Sequence, residues 1–254
     1  MKRFYIFMIK TIKYPNKSEA LHYITNDIAN QLGYSSVDEL ADCYNGYGSF
    51  VLEDFVNFNK DFFKTEQDIH EFAKNVKDER DRAKRGIALL SRETIIPPNG
   101  GTSKGKSQFS GSVFHTGHIL GHMLVGRMKD FNSRKNNDEN IFPQTSWSNG
   151  GGRDFESFKL NSERGNSQLT YERRIWNKLN KNGNKDLQVY YQVDLIYHKS
   201  EEVPRGIHIQ AIPSDDITEL NKNRVSLNVF IPNIRYNEIS ELDYDSWDSK
   251  RNKV

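Results

Sequence analysis

His115-Thr116-Gly117-His118-Ile119-Leu120-Gly121-His122 is the densest histidine cluster of the chain and holds three of its seven histidines. The residues from Ser112 to His118 predict a short strand that runs into this cluster. Three interpretations are open. His118 and His122 have the i, i+4 spacing of a zinc site, although the Glu of a His-Glu-x-x-His motif is missing. The histidines could instead form local hydrogen bonds, or one could act as a general base, because an unperturbed imidazole titrates near neutral pH.

A second stretch, Asn140-Ile-Phe-Pro-Gln-Thr-Ser-Trp-Ser-Asn149, follows the cluster and places two asparagines nine residues apart. A single asparagine is weak evidence for a site, because Asn is a common turn residue. The spacing of the pair therefore has to be considered together with the histidines.

The two stretches, followed by Tyr171-Glu172, resemble in their order the DNA/RNA non-specific endonuclease family, and within it the streptodornase-like secreted bacterial nucleases. That family carries an Asp-Arg-Gly-His motif, an asparagine at a nearly fixed interval, a second asparagine nine residues later, and a glutamate on the next helix. The resemblance covers roughly residues 47–236. It includes the N-terminal strand (Val56–Phe63), the helix before the motif (Asp81–Ser91) and the closing strands (Tyr191–Tyr197, Val203–Pro204, Ile209–Ala211 and Leu227–Asn233).

The resemblance implies an α+β fold, a ββα-metal finger nuclease with a central antiparallel sheet flanked by helices. It also implies that His118 is the general base and that Asn149 supplies an oxygen to one Mg²⁺, for which Mn²⁺ could substitute. Asn140 would position the site through hydrogen bonds, and Glu172 would order metal-bound water. The alternative for Glu172 is a helix-surface carboxylate paired with Arg173 or Arg174.

Several residues depart from the family pattern. His115-Thr116 replaces the Asp-Arg that precedes Gly-His, and Trp176 stands where an arginine is frequent. The lost charge predicts that other residues bind phosphate: Arg82 or Arg173 in place of the missing arginine, and His115 in a phosphate-binding or orienting role.

Charge is concentrated between residues 159 and 185, where seven positive residues accompany two negative ones. A helix that bears Arg173, Arg174, Lys178 and Lys181 could lie along the backbone of DNA or RNA, since cationic side chains supply affinity for phosphate. The alternative is a solvated helix face. Without an evident base-reading module, sequence preference should be weak.

Two other functions compete with the nuclease. One is a non-catalytic nucleic-acid-binding relative that kept the fold after losing its arginine, although retention of His118 and Asn149 argues against it. The other is a zinc hydrolase that uses His115, His118 and His122. If the protein were a toxin, it would need an immunity protein as partner.

The bulk composition fits a folded domain with long polar loops. The chain has 254 residues, 35% of them hydrophobic and 12% aromatic, and a formal net charge of +2. One cysteine, Cys43, excludes an internal disulfide. The apolar run at residues 4–9 is shorter than the core of a signal peptide and predicts a strand. No segment has the length of a membrane span, so a cytoplasmic protein or one exported by a non-classical route is expected.

The patterns predict three regions: an N-terminal extension (1–46) that is partly helical with Ser18 as a cap, the ββα-metal endonuclease domain (47–236) and a polar acidic tail (237–254). The helices of the N-terminal extension could form a DNA-binding helix-turn-helix, but packing without a role in DNA binding is favoured. Strands are predicted at 47–63, 112–118, 188–198, 206–211 and 225–231, and helices at 66–92 and 169–181. An exposed loop is predicted at 126–139, and a helix or turn at 141–149.

Overall fold

The computed structural model describes residues 14–58, 72–97, 108–109, 113–150, 165–213, 226–235 and 242–245. Several sequence predictions lie outside the described residues: the strand at 4–9, residues 59–63 of the strand predicted at 47–63, and the basic residues Lys159 and Arg164. No helix in these described segments is long and apolar enough to cross a membrane.

Three short helices, α1 (Lys17–Leu21), α2 (Asn26–Gln31) and α3 (Val37–Ala41), begin the described chain. Ser18 as a helix cap is wrong. Asn16 caps α1, because its Oδ1 accepts from the Glu19 backbone N–H at 3.0 Å while Glu19 Oε2 accepts from the Asn16 N–H at 2.7 Å. Thr25 and Ser36 cap the next two helices in the same manner, by accepting a hydrogen bond from a backbone N–H.

A six-stranded antiparallel sheet forms the centre of the fold. Its strands are β1 (Phe50–Val51), β2 (Phe72–Lys77), β3 (Ala83–Leu90), β6 (Val189–Ile196), β7 (Gly206–Pro213) and β8 (Leu227–Pro232). They lie side by side in the order β1-β8-β7-β6-β3-β2. The predicted strands after residue 188 are confirmed.

The helix predicted over residues 66–92 is wrong, as is the matching helix before the histidine motif. The structure describes residues 72–92 of this stretch, and residues 72–90 form the antiparallel hairpin of β2 and β3, whose turn contains Asp81 with a positive φ of 62°. The run Gly86–Leu90 is buried on both faces of the sheet, since Ala88 and Leu90 join the large core while Ile87 and Leu89 pack in a smaller cluster. A run that is apolar on both faces has no period of two, so it does not carry the alternating pattern of a half-buried strand.

A smaller sheet pairs β4 (Phe114–His118) with β5 (Ile141–Thr145). The short helix α4 (His122–Val125) follows β4, and α5 (Ser146–Gly150) follows β5 directly. The predicted strand before the cluster is confirmed, and the stretch predicted as a helix or turn is a strand followed by a helix. The predicted basic helix is α6 (Gln168–Asn180).

One hydrophobic core joins these parts. It contains residues of α1–α3, of both sheets and of α6, together with Leu242 and Tyr244 near the C-terminus. The helices of residues 17–41 thus pack on the same core as the sheet. The division of the chain at residues 46 and 237 stays a prediction from the sequence.

We expect the capping box of α1 to stabilise the fold measurably. Asn16→Ala removes the acceptor for the Glu19 N–H and should lower the free energy of unfolding by about 1 kcal/mol, whereas Ser18→Ala, at an exposed position, should change it by less than roughly 0.5 kcal/mol. Urea denaturation of both variants measures this difference. Equal losses in the two variants would contradict the assignment of the cap.

Candidate active site

The finger formed by β4, β5 and α5 carries the predicted catalytic histidine. His118 is the last residue of β4 and pairs with Ile141, the first residue of β5. Helix α5 starts where β5 ends and contacts both strands. Asn149 lies on α5 and is half-buried. The predicted base and the predicted metal ligand are therefore carried by adjoining elements of one ββα unit.

Asn140 holds the turn that follows His118. The Ile119 N–H donates to the Asn140 carbonyl at 2.8 Å, and the Leu120 N–H donates to Asn140 Oδ1 at 2.9 Å. Asn140 Nδ2 returns a hydrogen bond to the Leu120 carbonyl at 3.1 Å. Asn140 is fully buried, so its backbone carbonyl and its side chain replace water as the hydrogen-bond partners of Ile119 and Leu120.

Gln168, at the start of α6, also contacts this turn, and sequence reasoning missed it. Its Nε2 lies 2.8 Å from the His118 carbonyl, 3.3 Å from the Ile119 carbonyl and 3.0 Å from Glu172 Oε1. Gln144 Nε2 donates in turn to Gln168 Oε1 at 2.9 Å. A signal was present in the sequence, because Gln168 and Glu172 are four residues apart and so share one face of a helix.

The glycine before His118 is required by this packing. A Cβ atom at Gly117 would lie 2.0 Å from Gln144 Oε1, closer than any real contact. The backbone of β4 therefore approaches the Gln144 side chain directly. This close approach explains why a glycine precedes the histidine in the motif.

Glu172 is buried beneath the same turn, with 6% of its surface exposed. Burial raises the pKa of its carboxyl group to about 7, while hydrogen bonds from Gln168, the Gly121 N–H and Tyr191 oppose that rise. A Cβ at Gly121 would lie 2.3 Å from Glu172 Oε2, so only glycine fits between carboxylate and turn. The alternative of Glu172 as a helix-surface carboxylate is wrong.

The environment of His118 keeps its ring neutral. Burial lowers the pKa of His118 to about 4, and the nearby charges of Lys135 and His122 act in the same direction. A hydrogen bond to the Ser133 backbone opposes them. Since this bond favours the protonated form, the ring N–H donates and the Ser133 carbonyl accepts. At pH 7 the other ring nitrogen is therefore unprotonated, which is the form of imidazole that a general base requires.

The other two histidines of the cluster do not join His118 at a metal site. His115 lies on the opposite face of β4 from His118, because side chains alternate along a strand. His122 lies on α4, where its Nδ1 is 2.8 Å from Ser133 Oγ. Among the described residues, no three or more side chains of His, Cys, Asp or Glu are placed to hold a metal ion. The zinc site of three histidines is therefore wrong.

Arg82 is not available to replace the missing arginine. Its Nε donates to Asp78 Oδ2 at 2.8 Å and its Nη2 lies 2.7 Å from the same oxygen. Its Nη1 donates to the carbonyls of Lys199 and Glu201, and the guanidinium lies 4.2 Å from the ring centroid of Tyr197. All of these contacts fix the β2–β3 turn, so the prediction that Arg82 binds phosphate is wrong.

The basic residues of α6 differ in exposure. Arg174 is exposed, lies over the Tyr171 ring at 4.9 Å and donates to Asn166 Oδ1 at 3.3 Å. Arg173 is half-buried, and burial lowers its pKa. Trp176 serves packing, since its Nε1 donates to the Ile96 carbonyl at 2.7 Å and its ring packs against the core.

A ββα finger with a neutral histidine at the end of its first strand, beside a central antiparallel sheet, defines a ββα-metal nuclease fold. The family model of DNA/RNA non-specific endonucleases matches residues 56–253, and the chain belongs to this family. It is accordingly a nuclease, an enzyme that cleaves phosphodiester bonds.

Solved structures share this fold. NucA from Streptococcus agalactiae, known without metal and with magnesium bound, is 20% identical with a TM-score of 0.59, over 88% of this chain and 93% of NucA. An extracellular endonuclease is 22% identical with a TM-score of 0.49, over 69% of this chain and 84% of its own. At 20% identity, the similarity to NucA establishes the fold alone.

We expect Glu172 to make stability fall with rising pH. Because the folded-state pKa is raised from 4.5 to about 7, the unionised carboxyl favours folding at low pH, and this contribution is lost as pH rises through 7. Relative to Glu172→Gln, the wild type should lose about 3 kcal/mol between pH 4.5 and pH 8. Chemical denaturation across this range measures the difference, with the exposed Glu202→Gln as a control. A pH-independent difference would contradict the buried, unionised state.

Proposed function

We propose that this protein is a sequence-nonspecific, Mg²⁺-dependent endonuclease that hydrolyses phosphodiester bonds of DNA or RNA with His118 as its general base. The observation that carries the proposal is the placement of His118 at the end of β4 and of Asn149 on the adjoining helix α5 of one ββα finger. Family membership supports the reaction class.

His118 takes a proton from the attacking water in this mechanism. The water oxygen forms a bond to phosphorus opposite the 3′-oxygen, and the phosphorus–O3′ bond breaks. The departing 3′-oxygen takes a proton from solvent and His118 returns its proton to solvent, so the products carry 5′-phosphate and 3′-hydroxyl ends. The low pKa makes His118 a weak base but leaves it unprotonated throughout the physiological range, in the form that can accept a proton.

Asn149 is the proposed protein ligand of the metal. A carboxamide oxygen is a hard ligand, and Mg²⁺ retains most of its waters, so one such ligand suits Mg²⁺ and also Mn²⁺. Zinc fits poorly, because structural and catalytic zinc sites use three or four His, Cys or carboxylate ligands, and no such group occurs among the described residues. The magnesium ion in NucA supports this choice. When bound, the metal supplies charge neutralisation at the phosphate and the leaving oxygen.

Three further residue sets complete the proposal. Asn140 and Gln168 hold the backbone that carries His118, through the hydrogen bonds described above. Glu172 supports the same turn from below, and its ordering of metal-bound water stays a prediction. Arg173, Arg174 and His115 are the proposed contacts to substrate phosphates, and Arg174 is the most exposed of them. Export by a non-classical route and restraint by an immunity protein also stay predictions from the sequence.

Removal of the base or of the metal ligand should abolish most cleavage. We expect His118→Ala and Asn149→Ala to nick supercoiled plasmid 10²- to 10⁴-fold more slowly, on the order of the contribution of a general base or a metal-stabilised transition state. The exposed His22→Ala is the control for histidine removal, and EDTA should stop the wild type. A folded wild type that is inert with every divalent metal would favour the non-catalytic nucleic-acid-binding alternative.

Lys135 should set the acid limb of the pH–rate profile. Its positive charge lowers the pKa of His118, so Lys135→Met should raise that pKa and move the acid limb of kcat/KM to higher pH by a fraction of a unit. Lys129→Met removes an exposed lysine that does not perturb His118 and should leave the limb in place. Identical profiles for the two variants would mean that His118 does not control the limb.

A further inference from the structure

Ser133 is a buried residue in a loop that is otherwise mainly solvent-exposed. The loop between α4 and β5, residues 126–140, contains no helix or strand, and only 6% of the Ser133 surface is accessible. Its neighbours are braced locally, because Asn137 Nδ2 donates to the Asn132 carbonyl at 2.7 Å and the Arg134 N–H donates to Asn132 Oδ1 at 3.1 Å. These bonds shape the loop but do not attach it to the finger.

Two histidines attach Ser133 to the finger. Its carbonyl accepts from the His118 ring, and its Oγ lies 2.8 Å from Nδ1 of His122. His118 ends β4 and His122 begins α4, so both rings extend from one rigid turn that Asn140 and Gln168 hold. The hydroxyl contact therefore places the carbonyl, and the carbonyl faces the base.

The position of that carbonyl has a chemical consequence. A neutral imidazole has two tautomers, and a fixed carbonyl acceptor selects the one whose N–H points to it. The opposite nitrogen then has the lone pair. Strand hydrogen bonds would fix a carbonyl in a sheet, but residue 133 lies outside any strand, so a side-chain tether is needed here.

We propose that His122 and Ser133 form a positioning pair that selects the tautomer and the orientation of the His118 ring. The inference rests on the proposed role of His118 as the base, and it assigns the third histidine of the cluster a function other than metal binding. Neither residue contacts the reacting atoms in this proposal. They act through His118, so they should affect turnover more than substrate binding.

The test compares four variants. Ser133→Ala removes the hydroxyl and leaves the carbonyl, and His122→Leu removes the ring nitrogen. His122→Asn places an amide near the position of Nδ1 and should keep the contact to Ser133 Oγ. Asn136→Ala changes an exposed residue of the same loop and serves as the matched control.

Two readouts are needed. Long-range ¹H–¹⁵N spectra of histidine-labelled protein at pH 7.5 report the tautomer of His118, which is assigned by its loss in His118→Gln. We expect one tautomer in the wild type, in His122→Asn and in Asn136→Ala, and a mixture in Ser133→Ala and His122→Leu. In plasmid cleavage, kcat should fall on the order of tenfold in the latter two with KM unchanged, a magnitude typical of residues that orient a catalytic group.

The outcomes separate this inference from the proposed function. A wild-type tautomer and an unchanged kcat in both Ser133→Ala and His122→Leu would overturn the positioning pair while leaving the nuclease intact. A change of tautomer in a protein that cleaves no nucleic acid would uphold the pair and overturn the nuclease. If His122→Leu does not fold, Ser133→Ala decides alone, because it removes a single oxygen atom.

Discussion

The turn after β4 depends on buried amide side chains for its hydrogen bonds. Residues 118–121 leave the strand ladder inside the protein, where an unpaired backbone group costs about 1–3 kcal/mol. Asn140 satisfies the groups of Leu120, and Gln168 satisfies the carbonyls of His118 and Ile119. Because these partners come from the residue just before β5 and from α6, the turn is fixed only when the finger and the large core assemble together. The orientation of His118 is a result of that assembly.

Burial has opposite uses on the two sides of this turn. It removes the charge of His118, whose pKa falls to about 4, and it resists the charge of Glu172, whose pKa rises to about 7. A neutral imidazole is the form that accepts a proton, so the first effect serves the proposed chemistry directly. The second effect means that ionisation of the buried carboxyl lowers the stability of the fold. The hydrogen bonds from Gln168, Gly121 and Tyr191 partly offset this cost. The buried Glu172 therefore supports the turn that carries His118, and its ionisation costs stability.

The sequence allowed prediction of those elements that carry chemically distinctive residues or that follow each other in the order seen in the family. The strand before His118, the helix that carries Glu172 and the three closing strands are of this kind. The β2–β3 hairpin was not predictable by periodicity, because Gly86–Leu90 is buried on both faces. Arg82 was misassigned because its partners include the carbonyls of Lys199 and Glu201, over a hundred residues away in the chain. Gln168 was missed because its spacing to Glu172 indicates a shared helix face but not which backbone groups the amide contacts.

The departures from the family motif have a structural explanation in this chain. Thr116 occupies the position of the family's arginine, and its hydroxyl accepts from the backbone N–H groups of Gln108 and Phe109 at 3.0 and 3.2 Å. Trp176 likewise donates to the Ile96 carbonyl. Both positions hold neighbouring backbone in place and contribute no charge. In the proposed reaction the positive field near the phosphate must then come from other residues. Lys135 is suited to this role, because its positive charge, which acts together with burial to lower the pKa of His118, also attracts a phosphate beside that ring.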